Sequence, residues 1–291
     1  MKIKKLISAL VLGSMLVGLS GCNITDFSAE NLLRPPKAVG DEAEIEQLIA
    51  KTADSGYTLK YPKNGKFRSA IIMTDLDGND SNEAVAFFRN SVETSSVHML
   101  VMYSKDNSWK IASDNIFETT DIDSVDFADL TGNGKAEIIV NSTTYTPNVG
   151  KLSCYSYSEG KTNEVGSGQS CSSFVTGDFD NDGTSEIMSL VLYTTENEAL
   201  ASMLDYNEDS KSLYAKAMAN MDPNVVKYKN IAVTKLDNDI TGIVVDGTSA
   251  NEVTNTQVIF YSRDLAILRN PLFKEKAKNI QPTPLKIYPY R

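Results

Sequence analysis

Four stretches of the chain share one hydrophobic and polar pattern: a short apolar run, a polar turn rich in Asp, Asn and Gly, and a second apolar run. They are Ile71–Phe88, Ser124–Val140, Ser173–Leu192 and Asn230–Val245. Turn residues between apolar runs of this length predict two strands joined by a loop. The loops open at Asp75, Asp129, Asp178 and Lys235, at separations of 54, 49 and 57 residues, and an apolar residue follows each: Leu76, Leu130, Phe179 and Leu236. Between and after the repeats lie Val97–Tyr103, Lys151–Tyr157, Leu200–Tyr206 and Thr256–Ser262, rich in aromatic and β-branched residues and bounded by turn clusters. Four strands per unit follow. A sheet of about 50 residues cannot bury its own faces, so the units are expected to stack on one another. One helical pattern stands apart, at Asp41–Ala53, where Ile45, Leu48 and Ile49 share a face that is expected to pack on the repeats.

The amino terminus has a different pattern. Lys2, Lys4 and Lys5 precede an apolar stretch from Leu6 to Leu19, which ends in Leu19-Ser20-Gly21-Cys22. The stretch is short for a membrane span and reads as a removable export signal. Its end resembles the lipobox of bacterial lipoproteins, which implies cleavage before Cys22 and a lipid on that cysteine; an ordinary secretory signal with a chance cysteine is the competing reading. Two or more acyl chains give stable anchoring, at about 0.8 kcal/mol per buried CH₂. The resulting plan is a signal at 1–21, a tether at 22–40 containing Pro35-Pro36, a helix at 41–56, repeats at 57–280 and a tail at 281–291. The expected location is the extracytoplasmic face of the cell membrane.

Composition narrows the partners. The chain carries 28 basic and 38 acidic residues, a net charge of −10, and loss of the three leader lysines makes it more acidic still. Phosphate binding needs positive charge, so nucleic acid is not an expected partner; cations are. Beyond Cys22 the cysteines are Cys154 and Cys171. Outside the cytoplasm they allow either a disulfide or two buried thiols.

The loops themselves, Asp-Leu-Asp-Gly-Asn in the first repeat and Asp-Phe-Asp-Asn-Asp-Gly in the third, each followed by Glu and an apolar strand, resemble the FG-GAP/VCBS repeat of integrin-type β-propellers. The likeness covers residues 57–265, clearest in repeats one and three, weaker in two and weakest in four. The whole chain is also similar to surface lipoproteins of gut Firmicutes that place such a propeller after a signal and tether. The resemblance implies an all-β fold of propeller-type blades with four antiparallel strands, preceded by a short helix, with calcium in blade loops and binding as the role. Such propellers have about seven blades, and about four are counted here. A fifth loop would fall near residue 289, where the chain has a Pro-rich tail instead. The expectation is a truncated product, or else an open, partial propeller with exposed edges.

Calcium takes six to eight oxygen ligands. A nine-residue loop can supply them from positions 1, 3, 5, 7 and 9, with the backbone carbonyl used at position 7. In the first loop these are Asp75, Asp77, Asn79, Ser81 and Glu83, and in the third Asp178, Asp180, Asp182, Thr184 and Glu186. Both sets crowd carboxylates that repel one another without a cation. The second loop (Asp129, Thr131, Asn133, Lys135, Glu137) keeps two carboxylates, and the fourth loses positions 1 and 9 to Lys235 and Ile243. The competing reading is a set of Asx-rich turns without metal. An EF-hand fits less well, because Ala86 and Ser189 stand where it needs a bidentate Glu.

No catalytic constellation emerges. The one histidine, His98, sits in an apolar run, which argues against a Ser-His-Asp or Cys-His arrangement, and no zinc cluster or phosphate loop is found. Trp109, Tyr103, Tyr145, Tyr155, Tyr157 and Tyr193 read as strand packing. The expected function is therefore a lipid-anchored, non-enzymatic binding or scaffold module for an extracellular protein or carbohydrate, met at the loop end of the blades. A surface polysaccharide-active enzyme on the same scaffold is the alternative, as is a truncated product without independent function.

Overall fold

A computed structural model describes residues 40–269, apart from residues 55, 195, 197, 238 and 239. The expected signal, the lipidated Cys22, nearly all of the tether and the tail lie outside the described residues. Two compact units divide the chain, Met1–Ala43 and Glu44–Arg291. Of the first, the described part is Gly40 and the opening turn of helix α1 (Asp41–Ala53); every sheet belongs to the second. Among the described residues no helix is long and apolar enough to cross a membrane.

Apart from the rest of α1, the described residues of the second unit are all-β, with four antiparallel sheets formed in chain order. The first holds β1 (Tyr57–Leu59), β2 (Ile71–Thr74), β3 (Glu83–Asn90), β4 (Val97–Lys105) and β5 (Ser108–Phe117); β1 and β2 pair with different parts of the same edge of β3. The second holds β6 (Ile122–Ala128), β7 (Glu137–Thr143), β8 (Gly150–Ser158) and β9 (Lys161–Cys171). The third holds β10 (Ser173–Gly177), β11 (Glu186–Tyr193), β12 (Glu198–Asn207) and β13 (Ser212–Asn220). The fourth holds β14 (Val225–Asp237), β15 (Ile240–Ser249), β16 (Thr254–Tyr261) and β17 (Leu265–Arg269). Each is a meander, the first with β1 added beside β2 on β3, and among the described residues none closes on itself.

Consecutive sheets pack face to face. Val85 and Phe87 of β3 meet Ile138 and Val140 of β7 in one core; Ile139 and Cys154 meet Ile187 and Leu204 in the next; Met188, Leu190 and Met203 meet Ile243, Val245 and Ile259 in the third. Successive side chains of a strand point to opposite faces, so β7 and β11 each serve two cores at once. This is why Glu137–Thr143 and Glu186–Tyr193 are buried almost throughout and show no alternation of polar residues. The remaining face of the first sheet is covered by α1. Ile45, Ile49 and Ala53 lie on one stripe of the helix and pack with Ala84, Ala86, Phe88, Leu100 and Trp109. The small Ala84 and Ala86 let the helix approach, and each buried isoleucine contributes about 2 kcal/mol.

Of the aromatic residues expected to pack, Trp109, Tyr155 and Tyr157 are buried, while Tyr145 is 98% exposed. His98 has a structural role: its ring stacks on Phe88 at 4.8 Å, and its Nδ1 lies 2.9 Å from Asp114 Oδ1. Cys154 and Cys171 are buried free thiols. Cys171 is registered opposite Gly150, four residues along β8 from Cys154, which separates the two by about 13 Å along the strand, too far to bridge.

Candidate metal centres

The first three loops share one geometry. The carboxylate at position 1 accepts amides from the far side of its own loop. Asp75 takes Gly78, Asn79 and Asp80 at 2.8, 3.2 and 2.9 Å; Asp129 takes Asn133 and Gly134 at 3.1 and 2.8 Å; Asp178 takes Gly183 at 3.2 Å. The residue at position 5 closes a smaller turn, with Asn79, Asn133 and Asp182 accepting the amides of Ser81, Lys135 and Thr184. Positions 4 and 6 have positive φ in all three: Gly78 and Asp80, Gly132 and Gly134, Asn181 and Gly183. Only glycine, asparagine and aspartate adopt that conformation cheaply.

The glutamate at position 9 opens the second strand of each hairpin and is buried. Its Oε2 accepts the amide at position 2: Glu83 from Leu76 at 2.9 Å, Glu137 from Leu130 at 2.8 Å, Glu186 from Phe179 at 2.7 Å. The side chain at position 2 is then driven into the core that its sheet shares with the next. Burial raises the pKa of all three glutamates. Glu186 is pushed up to about 8, by burial first and then by the charges of Asp180, Asp182 and Asp205, against the lowering effect of the Phe179 amide. The loops are also linked to one another, because the Ala136 amide donates to the Leu76 carbonyl at 3.1 Å and the Ser185 amide to the Asp129 carbonyl at 2.8 Å.

The carboxylates of two loops converge. One oxygen from each of Asp178, Asp180, Asp182 and Glu186 lies within 4.8 Å of the others, and the same holds for Asp75, Asp77 and Glu83. Asp178 Oδ1 and Asp77 Oδ1 are buried and have no hydrogen-bond partner among the described residues. The other expected ligands serve the turns as well: Asn79 through Ser81, and Thr184 by donating its hydroxyl to Asp182 Oδ1 at 2.6 Å. That hydroxyl is the main cause of the lowered pKa of Asp182. These oxygens can hold a hard divalent cation.

The second loop is completed differently. Thr131 at position 3 donates its hydroxyl to Glu137 Oε1 at 3.2 Å, the carboxylate oxygen that the Leu130 amide does not take. In the fourth repeat no nine-residue loop forms. The position before the loop pairs with position 9 in the first three hairpins (Thr74 with Glu83, Ala128 with Glu137, Gly177 with Glu186). In the fourth, Thr234 pairs instead with Gly242, and Lys235 and Asp237 continue β14 opposite Thr241 and Ile240. Position 6 would be Ile240, a β-branched residue that resists positive φ, and Ile243 is a core residue.

The third loop has a neighbour that sequence spacing did not point to. Lys216 of β13 bonds Asp180 Oδ2 and, at 2.8 Å, Asp205 Oδ2. Asp205 also accepts the Tyr214 hydroxyl at 3.2 Å. Lys216 arrives there through a β-bulge, since Met203 pairs with Ala217 and Leu204 with Ala215, leaving Lys216 without a partner in the register.

A groove of about 770 Å³ is a second feature, lined at the strand ends away from these loops by Lys63, Lys66, Asp123, Asn141, Lys227 and Lys229 among others. In its wall, Asp126 accepts Thr176 at 2.9 Å and pairs with Lys66.

No family model matches the chain, and no curated protein matches it in sequence.

Proposed function

We propose that the chain is a non-enzymatic binding module, anchored at the extracytoplasmic face of a membrane through Cys22, with its four sheets arranged as propeller-type blades and stabilised by calcium in the first and third loops. The observation that carries the reading is the convergence of four carboxylates, Asp178, Asp180, Asp182 and Glu186, around one point with a buried, unpartnered oxygen on Asp178. A cation there would bridge the loop and the start of β11, so its binding free energy would add to that of folding. The groove of about 770 Å³ supports a binding role, since it is of the size of small-ligand sites.

Thermal unfolding of the full chain in detergent, in excess calcium and in excess chelator, tests the reading. At a hundredfold excess over Kd each site adds about 2.7 kcal/mol, roughly 5–10 °C for a domain of this size. The gain should shrink in Asp178→Ala/Asp180→Ala and again when Asp75→Ala/Asp77→Ala is added. A melting point indifferent to calcium would reduce the loops to capping turns. For the anchor, Cys22→Ser should abolish acyl labelling and release the chain from membranes.

A further inference from the structure

We infer that Lys216 sets the cation affinity of the third loop, holding it below what its four carboxylates would otherwise give. The inference rests on the calcium reading of the loops. By ligand charge alone the third loop would bind more tightly than the first, because it gathers four carboxylates where the first gathers three, and affinity in such sites rises with ligand charge. The Lys216 ammonium offsets that advantage. It bonds the Oδ2 of Asp180, one of the four carboxylates in the cluster. A divalent ion taking that carboxylate must repel the ammonium or displace it.

The sheet geometry makes this a property of the third loop alone. The bulge that delivers Lys216 recurs at the same place in the first two sheets. There Val101 pairs with Ser113 and Met102 with Ile111, leaving Ala112; Cys154 pairs with Gly166 and Tyr155 with Glu164, leaving Val165. Neither bulged residue carries charge, and Lys105, which lines the hollow beside Asp77 and Glu83, forms no ion pair with them among the described residues. Displacement has somewhere to go. Asp205 Oδ2 already holds the ammonium at 2.8 Å, and the Tyr261 ring lies 5.9 Å from it. The flexible lysine stem can thus give up Asp180 and keep Asp205. The third loop is thus a lysine-guarded site.

Calcium titration by calorimetry of the full chain decides the matter when each loop is isolated in turn. Asp75→Asn/Asp77→Asn leaves the third loop, and Asp178→Asn/Asp180→Asn leaves the first. Adding Lys216→Met to the isolated third loop should tighten binding about tenfold or more, and Lys216→Ala, which copies Ala112, should do the same if Met packs poorly in the bulge. Lys216→Arg should give no gain, and none of the three should alter the isolated first loop. If the first loop binds calcium and neither neutral variant tightens the third, the guarding role falls and the calcium reading stands. If neither loop takes calcium in any of these folded proteins, both fall.

Discussion

Glu186 accepts the Phe179 amide through Oε2 at 2.7 Å, and the Phe179 ring is buried in the core between the third and fourth sheets. One hydrogen bond thus ties the mouth of a candidate cation site to the packing of two sheets. Glu186→Ala leaves a buried amide without an acceptor and should cost about 1–3 kcal/mol even in chelator. Glu186→Gln keeps a carbonyl for the amide and should fall within about 1 kcal/mol of the native chain in chelator, while losing the calcium response of the third loop. Urea denaturation of the three proteins with and without calcium separates the two roles. Equal losses in both variants would mean that the charge, not the amide contact, is what the fold needs.

The same glutamate predicts how stability follows pH. Its pKa lies near 4.5 in an unfolded chain and about 8 in the fold, raised by burial. Between those values the native state keeps a proton that the unfolded state has lost. The stability contributed by the protonated form is full below the lower value and declines as pH rises through the upper one. Without a cation, stability should therefore fall from mildly acidic pH to about pH 8. Glu83 and Glu137 are shifted in the same direction. Calcium favours the ionised form, so its uptake expels the proton and its stabilising effect should grow across the same interval. Melting curves at about pH 5.5 and about pH 8.5, each with calcium and with chelator, should show the calcium increment larger at the higher pH. An increment that shrinks with pH would remove Glu186 from the ligand set.

Much of this was legible from the chain, for identifiable reasons. Apolar runs such as Glu186–Tyr193 marked strands, and the Asp-rich turns between runs located the hairpins, because few residues tolerate the positive φ at positions 4 and 6. Ile240 at position 6 was the available sign that the fourth loop would not form, more telling than Lys235 or Ile243. Lys216 could not be found this way. It lies 36 residues beyond Asp180, and only the pairing of β12 with β13, with its bulge, brings the two together. The fate of the cysteines likewise depended on register: the spacing of Cys154 and Cys171 allowed a bridge, and the pairing of Cys171 with Gly150 forbids it.

That register makes a prediction about thiol chemistry. Cys154 and Cys171 are both fully buried, and burial raises both thiols, Cys171 to about 12 and Cys154 further. The thiolate is the reactive form. Neither cysteine should react with a thiol reagent such as a dithiobis-nitrobenzoate in the native chain at neutral pH, and both should react in denaturant without prior reduction. A need for reductant before the unfolded chain reacts would show that the two are oxidised and that the pairing of β8 with β9 differs.

The second loop offers the strictest comparison, because it has the backbone geometry of its neighbours and differs at the cluster. Asp129 and Glu137 occupy positions 1 and 9 as in the flanking loops, while Thr131 stands where they have Asp77 and Asp180. Its hydroxyl, 3.2 Å from Glu137 Oε1, supplies by hydrogen bonding part of what a cation would supply by charge. Thr131→Asp removes that donor and adds a carboxylate beside two others. In chelator the variant should lose about 1–3 kcal/mol, from an unpartnered buried oxygen and from repulsion. In calcium the loss should be recovered, and the chain should bind one more ion than the native protein. The recovery separates charge at position 3 from the shape of the loop as the determinant of cation binding. If the loss persists in excess calcium and no further ion is taken up, the positive-φ loop with three carboxylates is not sufficient, and some other feature of the first and third loops, such as the Asn79 or Asp182 oxygen, must complete the site.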